Sequence, residues 1–280
     1  MNSIRPLVIL SMAGLFMAPA SLAAVSGSSR EKIIGGLEIE ASHPLTRSVV
    51  ALINIVEPEP EEAFEVCTAS FLTDRVLLTA AHCLPETDDG GEPQALSIKI
   101  GVDAYDDGPR LTVDRVLAHP DYDSTTYVSD VAVIRLAESY SEAKPLKLAR
   151  PQDLRGASLS RMSRFQAVGF GRSNAGRGEN ESYEGLGRMR TVDLQSIDFV
   201  SSSTSEELLI QVDMNHGRGF CEGDSGGPAL LKAGRGKSGI VGVASTFESR
   251  GPKDCNQFGY YTNVLPHLEW IKRAMREIVK

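Results

Sequence analysis

From residue 48 onward the chain is built of short apolar runs separated by turn residues. They lie at 49–56, 70–81, 96–102, 111–117 and 130–136, and again at 165–170, 189–194, 208–212, 228–231, 239–244 and 259–264. Short runs rich in Val, Ile, Leu and Phe, bounded by Gly, Pro, Asp and Ser, predict β-strands. So many of them at short intervals predict a sandwich or barrel. The last segment differs. Across 266–279, Leu268, Ile271, Met275 and Ile278 recur on one face at helical spacing, and Pro266 sits where a helix start tolerates it. This predicts a C-terminal helix packed on the last barrel. The acidic stretches 57–65 and 86–93 read as solvated loops, and 171–187, with five glycines, as a third. The segment 144–151 reads as the crossing between two halves, about 33–150 and 151–280.

The first residues carry a different pattern. Arg5 precedes an apolar run over 7–18, and Ser21-Leu22-Ala23-Ala24 follows. A basic start, a short apolar stretch and a small-residue site predict a secretory signal peptide over 1–24, too short and too broken by Gly14 and Pro19 for a good membrane span. Residues 25–32 are polar and read as a pro-segment. These 32 residues hold Arg5, Arg30 and Lys32 against Glu31, so losing their net +2 takes the chain from −8 to −10. An acidic protein lacks the basic footprint that nucleic acid needs. No membrane association after signal removal and no homo-oligomer are expected: the protein reads as a secreted or periplasmic monomer.

Export permits disulfides. Cys67, Cys83, Cys221 and Cys255 allow three pairings. The economical one joins near neighbours, Cys67 with Cys83 and Cys221 with Cys255. No Cys-x-x-Cys occurs, and His82 alone among the histidines adjoins a cysteine. Neither a zinc site, another metal nor a cofactor is expected.

Four motifs carry chemistry. Gly223-Asp224-Ser225-Gly226-Gly227-Pro228 sets a serine between an acid and two glycines. The hydroxyl of Ser225 suits a nucleophile, and the N–H groups of Gly223 and Ser225 suit an oxyanion. Thr79-Ala80-Ala81-His82-Cys83 ends an apolar run in a histidine, the residue type suited to taking a proton and returning it, and one that a disulfide can brace. Asp130 immediately precedes an apolar run and suits a carboxylate that orients an imidazole. Ile33-Ile34-Gly35-Gly36 begins abruptly after Lys32 and suits a processing point. His43, His119, His216 and His267 read as structural.

In this order, IIGG, TAAHC, SDVAVIRL and GDSGGP resemble the trypsin/chymotrypsin family of serine endopeptidases over 33–280, with weaker echoes at Gly169-Phe170-Gly171 and Tyr261-Thr262-Asn263-Val264. The resemblance implies an all-β fold of two six-stranded antiparallel barrels with the active site between them, followed by the C-terminal helix. It makes Ser225 the nucleophile, His82 the general base and acid, and Asp130 the orienting carboxylate, with the N–H groups of Gly223 and Ser225 as the oxyanion hole. It also implies a zymogen cut after Lys32, whose new Ile33 ammonium pairs with Asp224. Self-activation is expected to be poor, so a separate Lys/Arg-cleaving protease is implied as a partner beside the protein or peptide substrates. The specificity pocket falls at Gly219, Phe220, Ser245, Thr246, Phe247 and Gly259. Trypsin-like members carry an acid where this chain has Gly219, so cleavage after Arg or Lys is not expected, and a small or medium apolar residue is. Gly259 is expected to leave one wall open, and Glu222 and Glu248 to favour basic neighbours at the rim. The short segment 103–109 does not fit the family's calcium loop. Gly223 to Gly227 also fits a Gly-x-Ser-x-Gly elbow, but an esterase of that kind has its histidine last, and His82 comes first.

Overall fold

The computed structural model describes residues 34–57, 63–85, 96–151, 163–174, 184–201, 208–233, 237–249 and 255–280. The expected signal peptide, the pro-segment, Ile33 and the loop at 86–93 lie outside the described residues.

Strands β2 (Val49–Glu57), β3 (Ala63–Phe71), β4 (Val76–Thr79), β5 (Leu96–Lys99), β6 (Arg110–Ala118) and β7 (Ala132–Leu136) close a barrel in the order β2-β3-β4-β7-β6-β5. A second barrel forms from β8 (Arg164–Gly169), β9 (Arg190–Ser201), β10 (Leu208–Asp213), β11 (Pro228–Ala233), β12 (Lys237–Glu248) and β13 (Phe258–Asn263). It runs β8-β9-β10-β13-β12-β11 and returns to β8. All of these pairings are antiparallel. Closure removes the exposed edges that strands this apolar would otherwise present. Leu52, Phe71, Leu77, Ile98 and Ile134 fill the first barrel, and Phe165, Ile210, Val241 and Tyr261 the second.

Three local expectations need correction. Part of the acidic stretch 57–65 is strand: β3 begins at Ala63, because pairing with β2 overrides the poor strand propensity of its glutamates. A short strand, β1 (Leu37–Glu38), pairs with β9, so the N-terminal segment joins the second sheet and not the first barrel. The C-terminal helix α1 (Val264–Ile278) begins two residues before Pro266, with the Asn263 side chain accepting the Leu265 N–H at 3.1 Å as its cap. It also packs elsewhere than on the last barrel alone. Its chain leaves β13, but Leu268, Trp270, Ile271 and Ala274 join the core of the first barrel, against β6 and β7 as well as β12. The helix is thus a strap across the two barrels. Ile271 is wholly buried in that seam. Ile271→Ala is expected to cost about 3 kcal/mol through the cavity it leaves. Chemical denaturation would register this as a lower midpoint with an unchanged slope.

Candidate active site

Strand β4 delivers His82. It lies in the single turn Ala81–Cys83 directly after the strand, and Cys83 is joined to Cys67 on β3 with Cα atoms 6.1 Å apart. Asp130 comes from the turn before β7. Tyr127 and Ser129 there take positive φ of 55° and 53°, conformations that non-glycine residues adopt only under local constraint. The result is a carboxylate with no solvent exposure, facing the histidine. Asp130 Oδ2 lies 2.7 Å from His82 Nδ1, and Oδ1 accepts the His82 backbone N–H at 3.0 Å. A carboxylate only accepts, so a proton on Nδ1 bridges the pair. The ring of Tyr127 meets His82 edge-on at 5.7 Å.

Two further groups hold Asp130. The Ser245 hydroxyl donates to Oδ2 at 2.5 Å, and the Thr262 hydroxyl donates to the Asp130 carbonyl at 3.0 Å. Ser245 reaches because the register of β12 against β13 slips between Ala244 and Thr246, leaving it as the extra residue of a bulge. A bulge re-aims the side chain it inserts. Ser245 was expected in the pocket wall; its hydroxyl bonds the Asp130 carboxylate.

Ser225 sits in a tight turn between Cys221 and β11. Asp224 N–H bonds the Cys221 carbonyl, Gly227 N–H the Asp224 carbonyl, and Gly226 N–H the Ala244 carbonyl. Gly223 and Gly226 take φ of 94° and 79°, which side chains resist, and a Cβ on Gly226 would run into the Thr79 hydroxyl. His82, Gly223 and Ser225 line one cleft of about 710 Å³, together with Leu52, Tyr105 and Leu186. His82 from the first barrel and Ser225 from the second thus line one cleft, with Asp130 behind His82. Cys67, His82 and Cys83 also converge as metal ligands would, but the two sulfurs are bonded to each other and offer no thiolate.

Asp224 is buried, with its carboxylate accepting from Gly171 N–H at 2.7 Å and Cys221 N–H at 2.9 Å. Burial pushes its carboxyl up to about 7, against the opposing pull of those two N–H groups and of the Arg190 charge. Arg190, itself fully buried, bonds Glu38 on β1 at 3.0 Å and the Gly171 carbonyl at 3.2 Å, so it ties the N-terminal segment to the wall around Asp224. Ile33 lies outside the described residues. Ile34 is buried in the second core, and its carbonyl accepts the Gly219 N–H at 3.0 Å.

The pocket region departs from expectation. Gly259 leaves no open wall: the ring of Phe220 lies where its Cβ would be, at 2.5 Å, and Met214 sulfur at 3.0 Å. Met214 likewise covers Gly219. Phe220 is 2% exposed and packs edge-on against Tyr261, with centroids 4.8 Å apart. Opposite Gly259 and Tyr260 across the sheet stand Phe247 and Thr246. Both acids expected to attract basic neighbours are engaged within the protein. Glu222 pairs with Arg172 at 3.2 Å, and Glu248 accepts the Tyr260 hydroxyl at 2.6 Å. The second disulfide, Cys221 to Cys255, stands beside Phe220 in the same core; both pairings are those expected.

With this geometry in view, the sequence profile of the Trypsin family matches residues 40–271. The chain belongs to the trypsin family of serine endopeptidases. It is 31% identical to vitamin K-dependent protein C of Oryctolagus cuniculus over 75% of its own length and 47% of that protein's, so it spans about half of that relative. It is 26% identical to granzyme B(G,H) of Mus musculus over 91% of its length and 96% of the relative's, and 30% identical to trypsin delta of Drosophila erecta over 74% and 78%. Among the described residues no helix is long and apolar enough to cross a membrane. The motifs named His82 and Asp130, which meet here, and Ser225, which lines the same cleft as His82. They gave no signal for the hydroxyl of Ser245 on Asp130, or for Arg190 beside Asp224, since both depend on contacts between distant strands.

Proposed function

We propose that the protein is a secreted zymogen which, once cut after Lys32, hydrolyses peptide bonds through an acyl-enzyme on Ser225. His82 takes the Ser225 proton and returns it to the leaving amine. Asp130, kept in place by Ser245 and Thr262, holds the ring and stabilises the imidazolium. The N–H groups of Gly223 and Ser225 receive the oxyanion. The observation that carries this is the 2.7 Å contact of His82 with a fully buried carboxylate, at the edge of a cleft that Ser225 and Gly223 also line. The new Ile33 ammonium pairs with Asp224.

The substrate residue before the scissile bond is small, alanine or valine in preference to phenylalanine or leucine. What supports this is the crowding of Gly219 by Met214 and of Gly259 by Phe220 and Met214, which in this reading leaves little room for a longer side chain. Arginine and lysine are disfavoured because Gly219 offers a buried charge no carboxylate, at a cost of several kcal/mol. Cleavage at Lys32 therefore falls to another protease. A cleavage profile of the processed chain on a peptide library tests this. Alanine- or valine-directed cleavage supports it, and a peak at Arg or Lys contradicts it. Phe220→Ala is expected to raise kcat/KM for phenylalanine-directed peptides by roughly tenfold or more relative to alanine-directed ones. An unchanged ratio in a folded variant would show that Phe220 does not close the pocket.

A further inference from the structure

Thr68 of β3 is wholly buried where the first barrel meets the turn that carries Ser225. All of its polar groups are engaged. Its N–H donates to the Ser225 carbonyl at 2.7 Å, and its carbonyl accepts the Thr79 hydroxyl at 2.9 Å. Its own hydroxyl donates to the Gly223 carbonyl at 2.9 Å, and the same oxygen accepts the Phe170 N–H at 3.2 Å.

The placement of these bonds matters more than their number. Peptide groups are planar, so a bonded carbonyl fixes a whole unit. The Gly223 carbonyl belongs to the peptide joining 223 to 224, and the Ser225 carbonyl to the one joining 225 to 226. The peptide between them carries the Ser225 N–H. Thr68 thus grips both flanks of the unit that presents this donor, and its hydroxyl grips the carbonyl of the residue that presents the other. Gly223, at φ 94°, has no side chain to hold its conformation. The anchor comes from the opposite barrel.

We infer that Thr68 is a positioning residue for the oxyanion donors, acting across the barrel interface through its hydroxyl on the Gly223 carbonyl. This rests on the role of Ser225 proposed above. Thr68→Val keeps the shape and removes the hydroxyl. It leaves the Gly223 carbonyl and the Phe170 N–H without this partner, and it frees the Gly223 peptide to turn. Misaiming a donor costs less than deleting one, so kcat is expected to fall by roughly tenfold to a hundredfold. KM stays within about twofold, because the residue touches no substrate.

The test uses the full chain processed at Lys32, the library's best peptide and a peptide aldehyde of the same sequence. The aldehyde adduct places its oxygen among the oxyanion donors, so its affinity reports their alignment. The inference expects aldehyde affinity to weaken in Thr68→Val by the same factor as kcat, and Thr68→Ser to recover kcat to within about threefold of the parent. If the valine variant does not fold, Thr68→Ala carries the same comparison. A kcat and aldehyde affinity unchanged in Thr68→Val, with only stability lowered, would overturn the inference, as would a kcat loss that serine does not recover. Ser225→Ala separates the two layers. Hydrolysis surviving in Ser225→Ala defeats the nucleophile assignment itself. Hydrolysis lost there but unaffected in Thr68→Val defeats the positioning role alone.

Discussion

Ser225→Ala, made in the processed chain, is expected to lower kcat by roughly a millionfold while leaving KM for the best peptide within a few-fold. The size follows from what the hydroxyl does. Without it no acyl-enzyme forms, and His82 has no alcohol to deprotonate, so the contribution of the whole unit is lost at once. Stability should barely move. The Ser225 bond to the first barrel runs from its backbone carbonyl to Thr68 N–H, and alanine retains it. His82→Ala should approach the same loss. Adding the two changes together should cost little more than either one, because the residues act as a unit. A Ser225→Ala variant with a tenth of the parent kcat would place the chemistry elsewhere.

Cleavage after Lys32 should produce the second large effect, and its signature is a change in pH dependence. In the uncut chain the Asp224 carboxyl is buried and pushed up to about 7, whereas an unfolded aspartate titrates near 4. A raised carboxyl favours the fold below the unfolded value and loses that advantage as pH rises through the folded one. The uncut chain, held with Lys32→Gln, should therefore lose about 4 kcal/mol between pH 4 and pH 8 through this group. In the processed chain the Ile33 ammonium would stabilise the carboxylate, bring its pKa down and remove that loss. The amine itself should be raised above its usual value of about 8. Its contribution is complete below that value and fades as pH rises through the raised one. Denaturation midpoints of both forms at pH 5 and pH 8 check this. Superimposable profiles would contradict the latch. Ile33→Asp should block the gain in activity on processing, since a carboxylate side chain cannot follow the terminus into an apolar core.

The segment is prepared for that event. Ile34 is already buried with its carbonyl on Gly219, β1 is paired with β9, and Arg190 joins Glu38 to the Gly171 carbonyl.

The barrels could be read from the chain because each strand is a short apolar run between turn residues, and the meeting of His82 with Asp130 because each stands in a short motif at the edge of an apolar run. The same kind of reading mistook Ala63 to Glu65 for loop, since glutamates there disguise a strand that only its pairing with β2 sustains. The helix face was legible in Leu268 and Ile271, but a period does not say which surface it meets, and the first barrel proved to be part of the answer. Gly259 was expected to leave a wall open, and no local pattern signalled the ring beside it. That Phe220 fills the hollow beside Gly259 depends on the direction of one ring across a turn. Ser245 on Asp130 and Thr68 on Gly223 join residues 115 and 155 positions apart, and no local pattern records such contacts.

The central claim is that Ser225 is the nucleophile of a triad completed by His82 and Asp130. The most direct measurement is peptide mapping of the processed chain after reaction with a fluorophosphonate. A single phosphonyl adduct on Ser225, formed slowly in His82→Ala and absent in Ser225→Ala, is the predicted result. An adduct on another residue, or equal labelling in Ser225→Ala, would contradict it.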